Sequence, residues 1–472
     1  MCNTLWDFGR YESYTALIED TGLSLSYDTL KQQGDKLVDM ISHRCLTFIL
    51  CKNTVGSIIG YSSFLNHGIV PVMLNAQIDK SLLNNLIFTY QPSYLWVPDD
   101  YNSEFEGEDV YGAYNYSLIK MNYKTKCHLY EELALLLTTS GSTGSPKFVR
   151  QSYKNIRANT ESIVKYLELD SSERPITTLP MNYTYGLSII NTHLSVGATI
   201  LLTDKTLVQK EFWKFFKEQK ATSFGGVPYT YEMLDRLRFF CMDLPYLRTI
   251  TQAGGKLTLE LHKKFARYAE DSGKKFIVMY GQCEATARMG YLPADKAVEK
   301  KGSMGIAIPG GKFRLIDAKG NEIHTPHTTG ELVYEGSNVT LGYAENVDDL
   351  AKCDERNGVL ETGDMAQFDE DGYYYIVGRK KRFLKIYGNR INLDEVDRLI
   401  KEKYEVEVAC GGVDDHMYIF LTDEGIASEI KDYVSTTTKL NPAAFKTVVI
   451  DEIPKNDAGK TKYTELEKYY DL

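Results

Sequence analysis

Short apolar runs separated by amphipathic segments are the feature that most restricts the fold of this chain. The runs have the length of strands and the segments between them have the length and pattern of helices, as in 46–50, 57–65, 70–73, 79–90 and 94–97. The alternation recurs further along the chain, at 198–203, 211–219, 277–279 and 330–334. It predicts an α/β fold, in which packed β-sheets with flanking helices form a large N-terminal domain that includes a small β subdomain.

A basic, glycine-flanked stretch at 378–388 marks a change of composition. Beyond it, Leu393, Val396 and Ile400 have the spacing of one helical face, and strand-like runs follow at 406–413, 417–421 and 447–450. We therefore expect two domains: an N-terminal domain over 1–380 and a small, mobile α+β domain over 381–472.

Charge and cysteine usage restrict the class of partner. The 472 residues include 54 Lys and Arg against 64 Asp and Glu, which gives a net charge of -10. This balance argues against a dedicated nucleic-acid or anionic-membrane binder, because such proteins have basic surfaces. The eight cysteines are scattered without CxxC spacing, and the most apolar early run, 46–51, is too short to span a bilayer. We expect a cytoplasmic protein with free thiols, no signal peptide, and no nucleic-acid or membrane partner.

A segment rich in glycine, serine and threonine follows the buried-strand candidate Leu133–Leu137 directly. It reads TTSGSTGSPK over 138–147, with Gly141 and Gly144 among hydroxyl side chains and Lys147 at its end. Glycines allow the backbone to approach a ligand closely, successive N–H groups can converge on oxygens, and lysine adds positive charge. The pattern predicts a phosphate-binding loop, although it lacks the spacing of a Walker A motif. A surface loop without a ligand is the structural alternative.

This loop resembles the phosphate loop of the adenylate-forming superfamily, which includes acyl- and aryl-CoA ligases, adenylation domains and luciferases. Further segments resemble the other motifs of that superfamily in the same order: PMNYTYGL at 180–187, AGGKL at 253–257, YGQCEA at 280–285, GEL at 330–332, ETGD at 361–364, the basic stretch at 378–388 and PKNDAGK at 454–460. The ordered series extends over most of the chain, which makes the resemblance specific.

The resemblance implies an ATP-dependent, AMP-forming ligase. The carboxylate of a small-molecule acid attacks the α-phosphate of ATP, pyrophosphate leaves, and an acyl-adenylate forms. A thiol then displaces AMP, and it belongs either to CoA or to the phosphopantetheine arm of a separate acyl carrier protein. The site must hold two anions in line, so it needs positive charge and Mg²⁺.

The resemblance also assigns roles to single residues. Lys460 is expected to bridge the carboxylate and the α-phosphate, Glu284 to bind Mg²⁺, and Cys283 to complete the catalytic set. Asp364 is expected to accept hydrogen bonds from the ribose hydroxyls. The full set expected to contact the nucleotide is Thr139, Ser140, Gly141, Ser142, Thr143, Gly144, Lys147, Gly254, Gly255, Lys256, Tyr280, Gly281, Gln282, Asp364 and Arg379.

Two further sets follow from the same resemblance. The acyl pocket is expected to contain Tyr183, Tyr185, Gly186, Ser188, Gly226 and Gly254. The small domain is expected to turn about a hinge at Arg382 between the two half-reactions. Its second position is expected to present Lys385 and Gly388 to the thiol.

Three positions depart from the pattern of the superfamily. Phe148 stands where glycine is usual, and Arg382 stands where Asp or Lys is usual at the hinge. Cys283 stands where a threonine commonly directs its hydroxyl to the α-phosphate, and a thiol is a weaker donor. These departures keep a non-catalytic nucleotide-binding regulator open as an alternative, although Lys460, Glu284 and Asp364 are retained.

The segment that matches the acyl pocket bears on the acid. Amino-acid-activating relatives usually carry an aspartate there, and this chain has Tyr183, Thr184 and Tyr185 instead. An amino-acid-activating enzyme is therefore the less favoured alternative. The mixture of small, polar and aromatic residues favours a short, hydroxylated or aryl acid over a long fatty chain.

Overall fold

The computed structural model of the chain describes residues 4–123, 128–138, 147–386, 389–413, 415–438, 440–456 and 459–470, without the side chains of residues 102, 103, 381, 383, 385, 389, 390 and 392. These residues form two compact units. The first is Met1–Lys312 with Tyr334–Leu360, and the second is Phe313–Val333 with Glu361–Leu472.

Strands and helices alternate through the first unit, as the sequence predicts. In chain order the strands of the described residues are β1 Thr15–Glu19, β2 Ser24–Ser26, β3 Leu46–Cys51, β4 Val70–Asn75, β5 Tyr94–Pro98, β6 Gly107–Ala113, β7 Tyr116–Met121, β8 Leu133–Thr138, β9 Phe148–Ser152, β10 Ile200–Leu202, β11 Ser223–Gly226, β12 Thr249–Gln252, β13 Lys275–Tyr280, β14 Gly290–Tyr291, β15 Ile306–Ala307, β16 Gly311–Ile316, β17 Glu322–Ile323, β18 Gly330–Gly336, β19 Gly342–Ala344, β20 Val359–Phe368, β21 Tyr374–Arg379, β22 Phe383–Ile386, β23 Asn389–Asn392, β24 Val408–Val413, β25 His416–Leu421 and β26 Phe445–Val449. The α-helices of the same residues are α1 Tyr27–Val38, α2 Val55–Asn66, α3 Lys80–Tyr90, α4 Tyr153–Leu167, α5 Thr184–Ser195, α6 Lys210–Glu218, α7 Pro228–Arg236, α8 Leu259–Asp271, α9 Leu393–Tyr404, α10 Ala427–Thr438 and α11 Tyr463–Leu466.

An eight-stranded sheet forms the centre of the first unit. Its order is β19-β9-β8-β4-β3-β5-β7-β6, and the run β8-β4-β3-β5 is parallel. Alternate residues of β3 pack into two different cores, since Ile49 faces α1 and α2 whereas Phe48 and Leu50 face α3. Burial on both faces explains why these strands read as continuous apolar runs in the sequence.

A second sheet of the first unit has the order β11-β12-β13-β14-β15. Its first three strands are parallel, with Ser223 opposite Thr249 and Thr249 opposite Lys275. A smaller sheet, β10-β1-β2, completes the first unit. The parallel strands are connected through α7 and α8, which is the βαβ arrangement that the alternating pattern predicts.

The second unit contains most of a five-stranded sheet of order β17-β16-β18-β20-β21, followed by the hairpin β22-β23 and the sheet β24-β25-β26. Val396 and Ile400 of α9 and Ile430 of α10 pack with Ile419 of β25 in one core. The predicted domain boundary after residue 380 falls inside this unit, between β21 and β22. That boundary stays a prediction of where the chain pivots.

Candidate active site

The carboxyl ends of three parallel strands bring several predicted site residues to one edge of a sheet. β11, β12 and β13 end at Gly226, Gln252 and Tyr280. Gly254 and Gly281 follow closely after the second and third of these strands. Ligands of open α/β sheets bind beyond the carboxyl ends of the strands, so this edge is the candidate binding site.

Two tyrosines at the start of α5 form an aromatic wall beside this edge. Tyr183 occupies the N-cap position and is half-buried, whereas Tyr185 is fully buried. The Tyr185 hydroxyl lies 2.8 Å from Oγ1 of Thr251 on β12, and the two tyrosine rings are 6.5 Å apart. Burial raises the pKa of both phenols, so both are neutral near pH 7.

Two glycines occupy turns in which a side chain would clash. Gly254 has a φ of +85°, and a Cβ there would lie 2.7 Å from the Tyr183 hydroxyl. A Cβ on Gly281 would lie 1.7 Å from the carbonyl oxygen of Ala287. Backbone therefore lies directly against the aromatic wall at Gly254. Gly255 and Lys256, next in the chain, are exposed.

The remaining predicted acyl-pocket residues lie in the packing around α5 and β11. Gly186 lies against the carbonyl oxygen of Pro180, and Gly226 lies against Thr230 at the start of α7. The Ser188 hydroxyl donates to the carbonyl oxygen of Tyr185 at 2.7 Å. Ser188 also lines a buried cavity of about 10 Å³, which has room for one water molecule.

Cys283 begins a short 3₁₀ turn, Cys283–Ala285, soon after β13. Its buried Sγ lies 4.0 Å from the carbonyl oxygen of Thr138, the last residue of β8. Cys283 therefore lies where the chain enters the segment rich in glycine, serine and threonine. Within that segment the predicted residues Thr139, Ser140, Gly141, Ser142, Thr143 and Gly144 lie outside the described residues.

Glu284 is the carboxylate of a cluster that also contains two cations. Its Oε1 accepts a hydrogen bond of 2.7 Å from the Tyr343 hydroxyl. The ring of Tyr343 lies 4.2 Å from Nζ of Lys147 and 4.6 Å from the guanidinium carbon of Arg356. Arg356 also donates to the main-chain oxygen of Glu284 at 3.1 Å. Burial and the neighbouring Glu284 charge raise the pKa of Tyr343, so its phenol keeps the proton that it donates.

The pairing of β19 with β9 builds this cluster. Tyr343 lies opposite Val149, close to Lys147, which directly precedes β9. Phe148 is fully buried, and its ring lies 4.8 Å from that of Tyr90. The phenylalanine that departs from the usual glycine is therefore a core residue of the sheet.

In the second unit, Asp364 and Arg379 lie opposite each other on β20 and β21. Asp364 is 5% exposed, and its Oδ1 lies 3.3 Å from Nε of Arg379. The Arg379 side chain is 65% exposed. The pair presents one buried carboxylate and one accessible guanidinium, which can together recognise hydroxyl and phosphate groups.

Arg382 is a buried ion-pair residue of the second unit. It pairs with Asp394 at 2.8 Å and with Asp397 at 2.7 Å, and it stacks on the Tyr463 ring at 3.7 Å. Burial opposes its charge, but the two carboxylates outweigh burial and raise the pKa of Arg382. An aspartate could not make these contacts. The predicted Gly388 and the side chain of Lys385 lie outside the described residues.

Lys460 lies in a tight turn of the same unit. Its amide donates to Oδ1 of Asn456 at 2.9 Å, and the Asn456 amide donates to the Lys460 carbonyl oxygen at the same distance. A bridge between Lys455 and Thr461 closes the turn. The backbone of Lys460 is therefore held on both sides.

Comparison with known proteins identifies the family. A family model described as AMP-binding enzyme matches residues 6–344. The chain belongs to the AMP-binding enzyme family. The oxalate–CoA ligase of Arabidopsis thaliana is 30% identical over 353 residues, which are 71% of this chain and 67% of that protein. The 2-succinylbenzoate–CoA ligase of Bacillus pumilus is 26% identical over 85% of this chain and 83% of that protein.

A solved structure shows the same fold. The o-succinylbenzoate–CoA synthetase of Bacillus subtilis, in complex with AMP, superposes with a TM-score of 0.80 at 21% identity. The match covers 99% of this chain and 98% of that one. The predicted α/β class, with a large N-terminal and a smaller C-terminal domain, is confirmed.

The family assignment confirms the resemblance seen in the sequence. The relatives are named CoA ligases, and this chain is an ATP-dependent, AMP-forming ligase of the acyl-CoA synthetase type that acts on a carboxylic acid. The comparisons give no support to an amino-acid-activating enzyme or to a non-catalytic regulator. The roles of single residues stay predictions.

The residues at Glu284 fit the cofactors of this family. The Bacillus subtilis synthetase has also been solved with ATP and a magnesium ion. Among the described residues of this chain, no group of three or more His, Cys, Asp or Glu could hold a metal. Mg²⁺ in nucleotide sites uses one or two carboxylates together with substrate phosphates, and Glu284 beside Lys147 and Arg356 suits that arrangement.

Tyr343 and Arg356 were missed by the sequence analysis. Neither belongs to the motifs, and both reach Glu284 only through the β19–β9 pairing and the chain that follows β19. A local pattern contains no signal for such a distant pairing. Over the described part of the chain, no helix has both the length and the hydropathy needed to cross a membrane.

Proposed function

We propose that Lys147, Glu284, Tyr343 and Arg356 form the phosphate end of the ATP site, and that the chain uses it to activate a short carboxylic acid for transfer to CoA. The observation that carries this proposal is the Glu284 cluster. The Tyr343 hydroxyl donates to the Glu284 carboxylate, and the Tyr343 ring contacts the cations of Lys147 and Arg356. A carboxylate alone would repel a polyphosphate. The two adjacent cations outnumber the carboxylate and would attract the phosphates, and the carboxylate would bind a divalent cation.

Each residue of the cluster has a separate task in this proposal. Glu284 would hold Mg²⁺, which would neutralise charge on the phosphates as pyrophosphate leaves. Tyr343 orients the Glu284 carboxylate through its hydrogen bond. Lys147 and Arg356 attract the outer phosphates of ATP and stabilise the charge of the leaving group.

The predicted roles of residues in the second unit would complete the proposed reaction. Asp364 would accept hydrogen bonds from the ribose hydroxyls, and the contact with Arg379 orients its carboxylate. Lys460 would bridge the acid and the α-phosphate as charge develops between them. Arg382 would act as the pivot of the small domain between the half-reactions. Lys385 and Gly388 would face the thiol in its second position.

The acyl group would lie against the wall formed by Tyr183, Tyr185 and the Gly254 turn. The mixture of small, polar and aromatic residues there favours a short, hydroxylated or aryl acid. The described cysteines are all free thiols, which suits a reducing compartment such as the cytoplasm. The phosphopantetheine arm of a separate acyl carrier protein carries the same thiol as CoA, and the test below distinguishes the two.

The test is acid-dependent release of pyrophosphate from ATP and Mg²⁺, measured over a panel of acids with and without CoA. We expect release that needs the acid, AMP as the second product, and a CoA thioester. Release of pyrophosphate without a thioester would indicate a carrier protein, which a phosphopantetheinylated carrier would then reveal as the acceptor. Absence of release with every acid would contradict the proposal.

A further inference from the structure

Arg288 is a buried arginine without an acidic partner. Its side chain is 3% exposed, and no carboxylate of the described residues lies within ion-pair distance of it. Its Nε is buried and has no hydrogen-bond partner among the described atoms. Arginine is almost never fully buried unless it is paired, because an uncompensated buried charge is costly. By contrast, Arg382 and Arg150, which are also buried, both contact carboxylates.

The backbone holds Arg288 in this position. The Asn159 side chain binds it from both sides, as Oδ1 accepts from the Arg288 amide at 3.3 Å and Nδ2 donates to the Arg288 carbonyl oxygen at 2.9 Å. Nδ2 of Asn338 donates to the same carbonyl oxygen at 2.9 Å. Three hydrogen bonds from the side chains of Asn159 and Asn338 therefore hold the main chain of Arg288 in place. The buried position of its side chain follows from the fold.

The guanidinium lies on the aromatic wall of the candidate acyl site. Its central carbon is 3.9 Å from the centroid of the Tyr185 ring. Burial raises the pKa of the Tyr183 and Tyr166 phenols, and the charge of Arg288 counteracts that rise at both. The positive field of Arg288 therefore reaches Tyr183, which is half-buried and lies against Gly254. The Tyr166 phenol accepts a hydrogen bond from the Arg288 side chain. This bond and the cation–π contact stabilise part of the charge, but neither supplies the carboxylate with which a buried guanidinium usually pairs.

We propose that Arg288 binds a second carboxylate on the acid substrate, so that this ligase prefers a short dicarboxylic acid. This inference rests on the proposed function and specifies its substrate. One carboxylate would react at the phosphate end, and the other would remain ionised against the guanidinium, which has the fork geometry for a bidentate pair. The distal carboxylate is not consumed, so the balance of the ligase reaction is unchanged.

The negative charge of the second carboxylate would compensate the buried positive charge of Arg288. A monocarboxylic acid of the same shape would leave Arg288 buried without a carboxylate partner in the complex. Sites built to pair with a polar group of the substrate discriminate strongly against an analogue that lacks it. Loss of a charged hydrogen bond corresponds to roughly 10- to 100-fold in kcat/KM.

The test compares matched acids in the pyrophosphate assay. Succinate is paired with succinamate and butyrate, glutarate with valerate, and phthalate with 2-methylbenzoate. We expect the wild-type protein to prefer at least one dicarboxylic acid over its partners by roughly 10-fold or more in kcat/KM. Arg288→Gln should remove that preference by lowering kcat/KM for the dicarboxylic acid, with a smaller change for its monocarboxylic partner. Arg288→Lys should retain part of the preference.

Arg44→Gln is the matched control. Arg44 also has a buried Nε without a partner among the described atoms. Its other nitrogens donate to the main-chain oxygens of Tyr130 and Leu133, which do not belong to the aromatic wall. This variant should keep the acid preference. Wild-type turnover of monocarboxylic acids equal to or better than their dicarboxylic partners would overturn the inference and leave the proposed function intact. Absence of turnover with every acid would instead contradict the proposed function. The wild-type comparison decides the question even if Arg288→Gln fails to fold.

Discussion

In the cluster around Glu284, one side chain is proposed to supply the charge that binds Mg²⁺, and another, Tyr343, orients it. We expect Glu284→Gln to lower the rate of pyrophosphate release by more than about 100-fold and to raise the Mg²⁺ concentration needed for half-maximal rate. Glutamine can still accept the hydrogen bond from Tyr343 but carries no charge for the metal. The measurement is a Mg²⁺ titration of the rate at saturating ATP and acid. An unchanged Mg²⁺ requirement would show that Glu284 is not the metal ligand.

Tyr343→Phe is the matched variant for this prediction. It removes the 2.7 Å hydrogen bond to Glu284 and keeps the ring that contacts Lys147 and Arg356. We expect a smaller loss, within about 100-fold, because a group that orients a metal ligand contributes less than the ligand itself.

Cys283 provides a second residue-scale prediction. Its Sγ makes a long contact of 4.0 Å with the Thr138 carbonyl oxygen, and a thiol is a weak hydrogen-bond donor. We expect Cys283→Ser and Cys283→Ala each to stay within about tenfold of the wild-type rate, because a neutral hydrogen bond contributes roughly 1 kcal/mol. Both rates are measured by pyrophosphate release. Complete loss of activity in both variants would indicate a nucleophilic cysteine.

Helix α5 carries a pH-dependent contribution to stability. His193 is buried, its Nδ1 donates to the Ile189 carbonyl oxygen at 2.7 Å, and its buried Nε2 has no partner among the described atoms. Burial lowers the pKa of His193 from 6.5 to about 4. Between these values the unfolded chain binds the extra proton, so the free energy of unfolding falls as the pH falls through this window.

The magnitude for one such group reaches about 1.4 kcal/mol per pH unit. We expect urea unfolding of the wild-type protein at pH 7, 6 and 5 to show this decline, and His193→Gln to reduce its slope. His324→Gln is the control, because the His324 side chain is 80% exposed. Equal slopes in the wild-type protein and His193→Gln would contradict the assignment.

Elements buried on both faces could be predicted from the sequence, and edge elements could not. The predicted strands at 46–50, 70–73 and 94–97 match β3, β4 and β5 because burial makes them apolar throughout. β6 lies at the sheet edge and is mostly exposed, so its residues GEDVYGA gave no strand signal. β19 is three residues long and pairs with a strand far away in the chain. Its pairing depends on tertiary contacts that no local pattern encodes.

The proposed division of labour between the two units makes a prediction for the whole molecule. We expect Lys460→Ala to reduce acid-dependent pyrophosphate release by more than about 100-fold, because a cation that bridges the reacting anions acts mainly in the transition state. The same variant should still convert a supplied acyl-adenylate and CoA into the thioester. Lys455→Ala is the control, since Lys455 precedes the same turn and pairs with Glu407. Equal loss of both half-reactions would contradict separate roles for the two positions.

For the whole molecule, the sequence predicts the reaction of the family better than it predicts the full set of residues around the site. Motif order predicts the family and the carboxylates Glu284 and Asp364, because each stands in a short segment that is recognisable alone. The cations Arg356 and Arg288 lie outside the expected roles, because their importance comes from what surrounds them in three dimensions. A buried charge is visible only once burial and partners are known.

The pairing of β19 with β9 has a consequence for synthesis on the ribosome. β8 and β9 leave the ribosome early, but the strand that covers the outer edge of β9 is made almost two hundred residues later, as the separation of Arg150 and Leu341 shows. A nascent chain therefore exposes the open edge of β9 until residue 344 has emerged. Any fragment that stops short of β19 lacks both Tyr343 and Arg356. Nucleotide binding should consequently arise late in translation, in a single step, and not in proportion to the length already made.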